Sequence, residues 1–300
     1  IIDYAVRDSL TAPLVIEIRD RTGRVLKRGE RPLPKVDAPA TGHPKADSAA
    51  RAAAEVAAAA ESLAYLPADS LLAARRGVNR FVWNARAAGP VTVPDAIVDD
   101  GTTAGPRVPP GRYDVWLIHG ADTLRTVAEL KPDPRLDVPQ AAYEAQFALG
   151  LDVVARINDV SEAEGRIRAI KGQLDDRAGL APEDRKAIRD SADALSGRFE
   201  KVRAALYETK VTADQATLNY PIQAYQMLIT LNAQVQEGDA MPSAAHRRVY
   251  GELSGKVRTQ LDALARLEAE DLAAFNAMLE KAGLPRVSPK AKPAPTPAAM

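Results

Sequence analysis

The stretch APLVIEIRDRTGRVLKRGE, residues 12–30, decides the fold of the first half of the chain, because it has the pattern of a β-hairpin. Its first arm alternates between two faces, one formed by Leu14, Ile16 and Ile18 and the other by Val15, Glu17 and Arg19. In the RTG that follows, Gly23 can adopt the positive φ of a tight turn. VLKRGE then returns as the second arm, so the stretch predicts two antiparallel strands.

Two further strands are predicted downstream of this hairpin. RYDVWLIHG, residues 112–120, alternates with Tyr113, Val115 and Leu117 on one face and Trp116 on the other. Pro110 and Gly111, just before it, suit the central positions of a type II turn. DTLRTVAEL, residues 122–130, predicts another strand, and we expect it to be anchored by its apolar residues Leu124, Val127 and Leu130. Short strands at this spacing predict a small β-sandwich.

GVNRFVWNAR, residues 77–86, combines aromatic and basic side chains and admits two interpretations, a strand or a binding patch. On a strand, Phe81 and Trp83 share one face, so we expect both rings in the core and Arg80 and Arg86 at the surface or rim. Binders of single-stranded nucleic acid also pair aromatic with basic residues. The chain has few aromatic residues and no second such stretch, so a strand is favoured.

The predicted sheet region is interrupted by an insertion, which we place at residues 39–74. It opens with the Pro/Gly-rich loop PATGHPKADS and continues with the alanine-rich stretch at 49–66. Alanine is the best helix former, yet the stretch offers few large side chains to bury. A weakly anchored helix and a partly disordered loop therefore both stay open. The charges of the stretch are few and mixed, which disfavours a helix on a membrane surface.

From Val138 onward the hydrophobic period changes from two to about 3.6, which predicts helices. We expect them at about 139–177, from Pro182 onward, at 222–236 and at 243–282. Ser243 is the expected N-cap of the last helix and Gly283 the glycine that follows its C-terminus. Four helices with short links predict an up-and-down bundle.

The chain is therefore expected to be an α+β protein with two domains, in keeping with its length of 300 residues. The first domain is a β-sandwich at residues 1–137 and the second is a four-helix bundle at 138–284. The Pro/Ala-rich tail at 285–300 is expected to be disordered.

Composition excludes several classes of function. Forty Lys and Arg balance forty Asp and Glu, so nucleic acid, which requires a basic surplus, is not an expected partner. The absence of cysteine excludes disulfides and thiolate zinc sites. No apolar run approaches the roughly 18 residues of a membrane span. The chain opens on IIDYAV, which has the pattern of a strand rather than of a signal peptide, so we expect a fragment of a longer protein.

The three histidines are far apart in sequence and form no metal-binding motif. His119 follows a strand just before a glycine, and we expect it to line a turn. His246 is expected to lie at the surface or between helices, and His43 in the inserted loop. None of them predicts a catalytic site.

Catalytic motifs are missing as well. The chain has no nucleophile elbow, no phosphate-binding loop and no dinucleotide fingerprint. Asp99 and Asp100 are adjacent, so on a strand they would point to opposite faces, and a polar loop is the simpler interpretation. Asp175 and Asp176 are expected to form a solvated helix end. We therefore expect no catalytic residue, no cofactor and no metal.

Several segments match the pattern of a known family. In the first half these are Leu14–Arg28, Gly77–Arg86, Val108–Val115 and Lys131–Arg135, and in the second half GDAMPS at 238–243 and DLAAFNAML at 271–279. With these segments the chain resembles the C-terminal part of bacterial sortilin-like, BNR-repeat β-propeller proteins, often labelled glycosyl hydrolases. The first domain also resembles the immunoglobulin-like domain of flagellar hook-cap proteins. The alanine-rich insertion and the segment at 91–106 depart from the pattern.

The resemblance implies an immunoglobulin-like sandwich and, in the parent chain, an N-terminal β-propeller that would carry any active site. No Asp-box and no blade repeat of about 40 residues occurs in this chain, so no catalytic residue is carried over. The expected function is that of a non-catalytic accessory module of an extracellular or periplasmic protein, with the propeller as partner.

Two alternatives stay open. The chain could contribute residues to the cleft of a glycosidase propeller, or it could be a carbohydrate- or protein-binding module. Arg80, Arg86 and Trp116 are the candidate residues for contact with a neighbouring domain or a ligand.

Overall fold

A computed structural model of the protein describes residues 1–32, 70–98, 100–180, 186–213 and 215–289. The fold mixes strand and helix: two antiparallel sheets come first along the chain, and helices follow. The alanine-rich stretch at 49–66 lies outside the described residues. So does Pro182, where the second helix was expected to begin.

The strands are β1 (Ile2–Val6), β2 (Leu14–Arg19), β3 (Val25–Arg31), β4 (Gly77–Phe81), β5 (Gly111–His119) and β6 (Asp122–Leu130). The larger sheet has the order β3-β2-β5-β6, and the smaller one pairs β1 with β4. The predicted hairpin is confirmed, since β2 and β3 pair antiparallel across a turn in which Gly23 has a φ of 86°. A turn of this kind favours glycine because a side chain would be strained at positive φ.

The core-facing side of the larger sheet follows the predicted alternation. Ile16 and Ile18 of β2 are fully buried, and Tyr113 and Val115 of β5 are buried beside them. Glu17, on the opposite face of β2, is buried as well. The physical reason is that β2 is an inner strand with β3 on one side and β5 on the other, so long side chains on both neighbours help to cover its outer face.

The smaller sheet meets β3 at a glycine. A Cβ atom added to Gly29 would lie 2.9 Å from a methyl carbon of Leu72 and 3.2 Å from the ring of Phe81. A side chain at this position would therefore require the side chains of Leu72 and Phe81 to shift. The burial expected for Phe81 on β4 is confirmed, at 4% exposure.

Two sequence-based expectations about the strands are wrong. Strand β4 ends at Phe81, so Trp83 lies beyond the strand and not on it; the chain turns there, with Ala85 at a φ of 56°, and Trp83 is half-buried and not in the core. Leu124 and Val127 do not anchor β6, because they are 69% and 47% exposed. The reason is that β6 is an edge strand of the larger sheet, with a partner strand on one side.

The contacts of the described residues divide the chain into two compact units. Unit 1 joins residues of Ile1–Ala88 and Pro106–Tyr143 and contains both sheets. Unit 2 joins residues of Gly89–Gly105 and Glu144–Met300 and contains most of the helical residues. The sequence places 89–105 in the first domain, whereas its contacts are with the helices.

The helices are α1 (Gln140–Leu180), α2 (Lys186–Leu206), α3 (Ala224–Val235), α4 (Ala244–Arg266) and α5 (Leu272–Lys281). A π-helical turn at Leu267–Asp271 joins α4 to α5, so the single long helix predicted at 243–282 is present with one widened turn. Ser243 is its N-cap, as predicted, since its hydroxyl accepts a hydrogen bond from the backbone N–H of His246 at 3.1 Å. Gly283 follows its end with a φ of 69°.

One apolar core holds the helices together. Its fully buried side chains come from different helices and include Ile157, Ile167, Phe199, Tyr225 and Val257. Val287, in the tail that we expected to be disordered, belongs to this core. The side chain of Asn276 holds it by accepting a hydrogen bond from its N–H at 2.7 Å and donating one to its carbonyl at 2.9 Å.

The segment 89–105 is attached to the helices mainly through its backbone. On α1, Asn158 accepts from the N–H of Val91 at 2.7 Å, and on α3, Tyr225 accepts from the N–H of Val93 at 3.2 Å. Asn232, fully buried on α3, donates to the carbonyls of Thr102 and Ala104 at 2.7 and 3.0 Å. These bonds satisfy backbone groups of a segment that has no strand partner among the described residues.

Candidate functional site

The outer face of the larger sheet, opposite its core, carries an indole between two guanidinium groups. The guanidinium carbon of Arg19 lies 3.7 Å from the centroid of the Trp116 ring, and that of Arg125 lies 3.9 Å from it. Strand register explains the arrangement. Arg125 of β6 is directly opposite Trp116 of β5, and on the other side Arg19 of β2 lies two residues beyond the register partner of Trp116. Cations over an indole face are attracted by its π electrons.

A buried carboxylate lies beside the indole on the neighbouring strand. Glu17 is opposite Trp116 in the register, and its side chain accepts a hydrogen bond from Arg19 Nε at 2.9 Å. Arg28 of β3, opposite Glu17 on its other side, approaches the same carboxylate at 3.5 Å. The outer face therefore carries Arg28, Glu17, Trp116 and Arg125 in register across four strands. We call these four residues, together with Arg19, the cross-strand row.

The cross-strand row limits what Trp116 can bind. Trp116 is half-buried, and guanidinium groups lie close to its ring on two strands. Sugars bind to tryptophan by stacking on its face, so a sugar would have to displace one of the arginines. A protein partner could instead contact the ring edge and the arginines together, because tryptophan and arginine are enriched at the centres of protein interfaces.

The second candidate residue, Arg80, lies on β4 of the smaller sheet. It donates two hydrogen bonds to the carboxylate of Asp3 on β1, from Nε at 2.7 Å and from Nη2 at 2.9 Å. These bonds lower the pKa of Asp3 below its usual value and raise the pKa of Arg80. Asp3 and Arg80 are direct partners in the β1–β4 register, so the pair is a cross-strand ion pair at the surface.

The third candidate, Arg86, lies beyond the end of β4 and forms an antiparallel bridge with Arg107. Burial, and then the positive charge of Arg107, lower the pKa of Arg86. The carbonyl of Arg86 accepts a hydrogen bond from Trp83 Nε1 at 2.9 Å, and the Trp83 ring packs edge-on against Tyr113 with centroids 5.3 Å apart. The backbone of Arg86 therefore positions an aromatic pair. The three candidates lie on three separate elements.

The remaining polar candidates have local roles. His119 accepts a hydrogen bond from the backbone N–H of Ala12 at 3.3 Å, which fits the expected turn position. Asp175 and Asp176 are exposed on α1. The carbonyl of Asp100 accepts from Thr230 Oγ1 at 3.0 Å, while Asp99 and His43 lie outside the described residues.

Two features of the helical unit were not anticipated from the sequence. The buried carboxylate of Glu164 accepts from Arg203 Nε and Nη2, both at 2.8 Å, and from Arg168 at 3.0 Å. These bonds raise the pKa of Arg203. The second feature is a groove of about 290 Å³ whose apolar walls include Ile97 and Ile229. Glu164 could have been singled out from the sequence, because it is a charged residue in the apolar stripe of α1. The groove could not have been predicted, because its walls come from segments that are far apart in sequence.

Within the described ranges, no group of three or more acidic or histidine side chains is arranged to hold a metal ion. Among the helices described, none combines the length and the apolar character needed to cross a bilayer. Comparison with known protein families, with curated proteins and with solved structures finds no match to this chain.

Proposed function

We propose that this chain is a non-catalytic accessory module that docks onto a partner protein through the outer face of its larger sheet. The proposed partner is an N-terminal β-propeller of the same parent chain, in an extracellular or periplasmic protein. In this proposal unit 1 is an immunoglobulin-like sandwich and the helices form an up-and-down four-helix bundle. The propeller and the location rest on the resemblance described above.

The observation that carries the docking proposal is the cross-strand row. Trp116 presents a large, rigid side chain whose position is fixed by Arg19 and Arg125 at 3.7 and 3.9 Å. A side chain that is already ordered loses little conformational entropy when a partner binds. Because the row mixes aromatic, cationic and anionic groups, it can both exclude water and form ion pairs at a protein interface.

Two alternatives make different predictions. If the chain contributes residues to a glycosidase cleft, removing unit 1 from the parent protein should change the affinity for substrate as well as the stability. If it is a carbohydrate-binding module, soluble oligosaccharides should bind to it. The guanidinium groups over Trp116 disfavour the second alternative, since they occupy the space where a sugar would stack.

Binding of the separately produced propeller to this chain, measured by calorimetry, tests the proposal. Trp116→Ala should weaken binding at least tenfold, the effect of losing an interface residue worth about 1.4 kcal/mol or more. Arg135→Ala is the matched control, because Arg135 is 85% exposed in its side chain and pairs with Asp133 outside the strands. Unchanged binding by Trp116→Ala would exclude this face as the docking surface. Turnover of glycosides by the chain alone would contradict a non-catalytic role.

A further inference from the structure

Strand β6 presents an open edge of the larger sheet. All nine of its residues are exposed or half-buried, and its other edge pairs with no strand among the described residues. The opposite edge of the sheet differs, because the N–H of Leu72 donates to the carbonyl of Glu30 on β3 at 3.1 Å. Proline, which natural proteins use to protect edge strands, does not occur between Asp122 and Leu130. Charged side chains do occur there, but they include both signs, so they can pair with those of another copy.

The hairpin geometry determines which backbone groups of β6 face outward. His119 and Asp122 are register partners across a two-residue turn, so this pair exchanges backbone hydrogen bonds. Alternation then directs the N–H and C=O groups of Arg125, Val127 and Glu129 away from β5. The side chains of these three residues lie on the outer face, with Trp116.

We propose that a second copy of this chain pairs with β6 in antiparallel orientation, with the two-fold axis at Val127. In this register Val127 faces Val127 of the second copy, and Arg125 faces Glu129 of the second copy. The symmetry produces the Arg–Glu pair twice, as expected for an isologous interface. Exposed apolar surface is covered as well, since Leu124, 69% exposed, faces Leu130 of the second copy.

Charge complementarity selects this register. Moving the axis to Thr126 places Arg125 opposite Val127 and loses both ion pairs. Moving it to Arg125 places two arginines opposite each other, which is repulsive. With the axis at Val127, Glu129 lies between Arg112 of its own β5 and Arg125 of the second copy. The cross-strand row then continues into the second copy with alternating charge.

The stacking of Arg125 on Trp116 is compatible with the new pair. The guanidinium lies over the indole with its carbon 3.9 Å from the ring centroid, and its N–H groups lie in the guanidinium plane. It can therefore stack and donate to a carboxylate at the same time. The dimer proposal does not rest on the proposed docking function, although Arg125 takes part in both. Pairing requires the free backbone edge of β6, whereas docking requires the outer face around Trp116.

Charge reversal tests the register in the full chain by sedimentation at several concentrations. Glu129→Arg places arginines opposite each other twice, and dimerisation should weaken by about tenfold or more. Arg125→Glu should weaken it similarly by placing glutamates opposite each other. An equimolar mixture of the two variants should dimerise again, because the glutamate introduced in one variant then faces the arginine introduced in the other. Glu252→Arg, an exposed charge reversal on α4, should leave dimerisation unchanged.

Cysteine cross-linking provides a second measurement that does not depend on charge. The chain has no cysteine of its own. Val127→Cys places two thiols in directly opposed residues with Cα atoms about 5.5 Å apart, within disulfide reach. Thr123→Cys places them about 27 Å apart in this register, at about 3.4 Å per residue. Mild oxidation should therefore produce a covalent dimer of the first variant and not of the second.

The proposal is overturned if the wild-type chain sediments as a monomer at every concentration. It is also overturned if Glu129→Arg dimerises as the wild type does, or if the mixture of charge variants stays monomeric. Equal cross-linking of Val127→Cys and Thr123→Cys, or none of either, excludes the register. Circular dichroism of each variant establishes that it is folded before these outcomes are compared.

Discussion

Replacing Gly101 by alanine should destabilise the helical unit, because two independent features of this position exclude a side chain. Gly101 has a φ of 124°, a conformation that is strained for other residues. A Cβ atom built there would lie 2.6 Å from the carbonyl oxygen of Ile229 and 2.7 Å from its carbon. These atoms belong to the backbone of α3, so they cannot move aside without distorting the helix.

The expected loss of stability can be estimated from the two ways in which the chain can accommodate the added methyl group. Keeping the native backbone would cost about 1–3 kcal/mol in strain, before the steric clash is counted. Moving the segment away would break the bond from the N–H of Thr102 to the carbonyl of Ile229 at 3.3 Å and the bond from Thr230 to Asp100 at 3.0 Å. Each contributes about 0.5–1.5 kcal/mol. Because the chain follows whichever route costs less, and the two bonds together contribute about 1–3 kcal/mol, the predicted loss is about 1–3 kcal/mol.

Urea unfolding followed by circular dichroism at the helical band measures this loss. With a slope of about 2 kcal/mol per molar urea, the midpoint should fall by about 0.5–1.5 M. Gly172→Ala is the matched control, because Gly172 lies within α1 with no atom within 4 Å of an added Cβ. The same chemical change should there stabilise the helix by about 0.4–1 kcal/mol. If Gly101→Ala unfolds at the wild-type midpoint or above it, the segment 89–105 does not contact α3 as described.

Three further predictions concern individual side chains. The pKa of Asp3 is lowered by Arg80, so the pair stabilises the fold above the unfolded pKa of Asp3 and stops doing so as the pH falls through the folded value. Titration of the Asp3 carboxyl by NMR should show this, and Arg80→Gln should return the pKa to its usual range; an unchanged value would show that the pair does not form in solution. Trp83→Phe removes an indole hydrogen bond of 2.9 Å and should destabilise unit 1 by about 1–2 kcal/mol, measured by thermal unfolding with the fluorescence of the remaining tryptophan. Glu164→Leu leaves Arg203 without the carboxylate that it binds at 2.8 Å and should cost about 3–5 kcal/mol in urea unfolding. Adding Arg203→Met should recover most of that loss, and equal stability of the single variant and the wild type would show that the ion pair is not needed.

Much of the secondary structure could be predicted because its causes are local. The alternation in β2 and the glycine after it were sufficient to predict the first hairpin. The apolar stripes predicted the helices, and Ser243 and Gly283 marked the two ends of the last one. Each of these signals depends on residues a few positions apart, where the geometry of strand or helix determines which side chains share a face.

The candidate site was predictable only in part. Alternation correctly placed Trp116 on the face opposite Tyr113, but the arginines beside its ring come from β2 and β6. Which residues become neighbours across a sheet depends on strand order and register, and these are set by contacts distant in sequence. The same reason explains why Leu124 and Val127 were wrongly predicted to be buried anchors of β6. Leu124 and Val127 have apolar side chains, yet an edge strand leaves them exposed.

The sequence by itself determined where most of the strands and helices form, how the first hairpin turns and how the last helix is capped, and that the charges of the chain balance. Only the tertiary structure decided that 89–105 packs with the helices, since its backbone bonds to side chains on α1 and α3 that lie more than 60 residues away. It also decided that β6 ends the sheet and that Trp116 lies between two arginines. Local patterns follow from bonded geometry, whereas these arrangements follow from the packing of distant segments, which a single sequence does not encode in any short pattern.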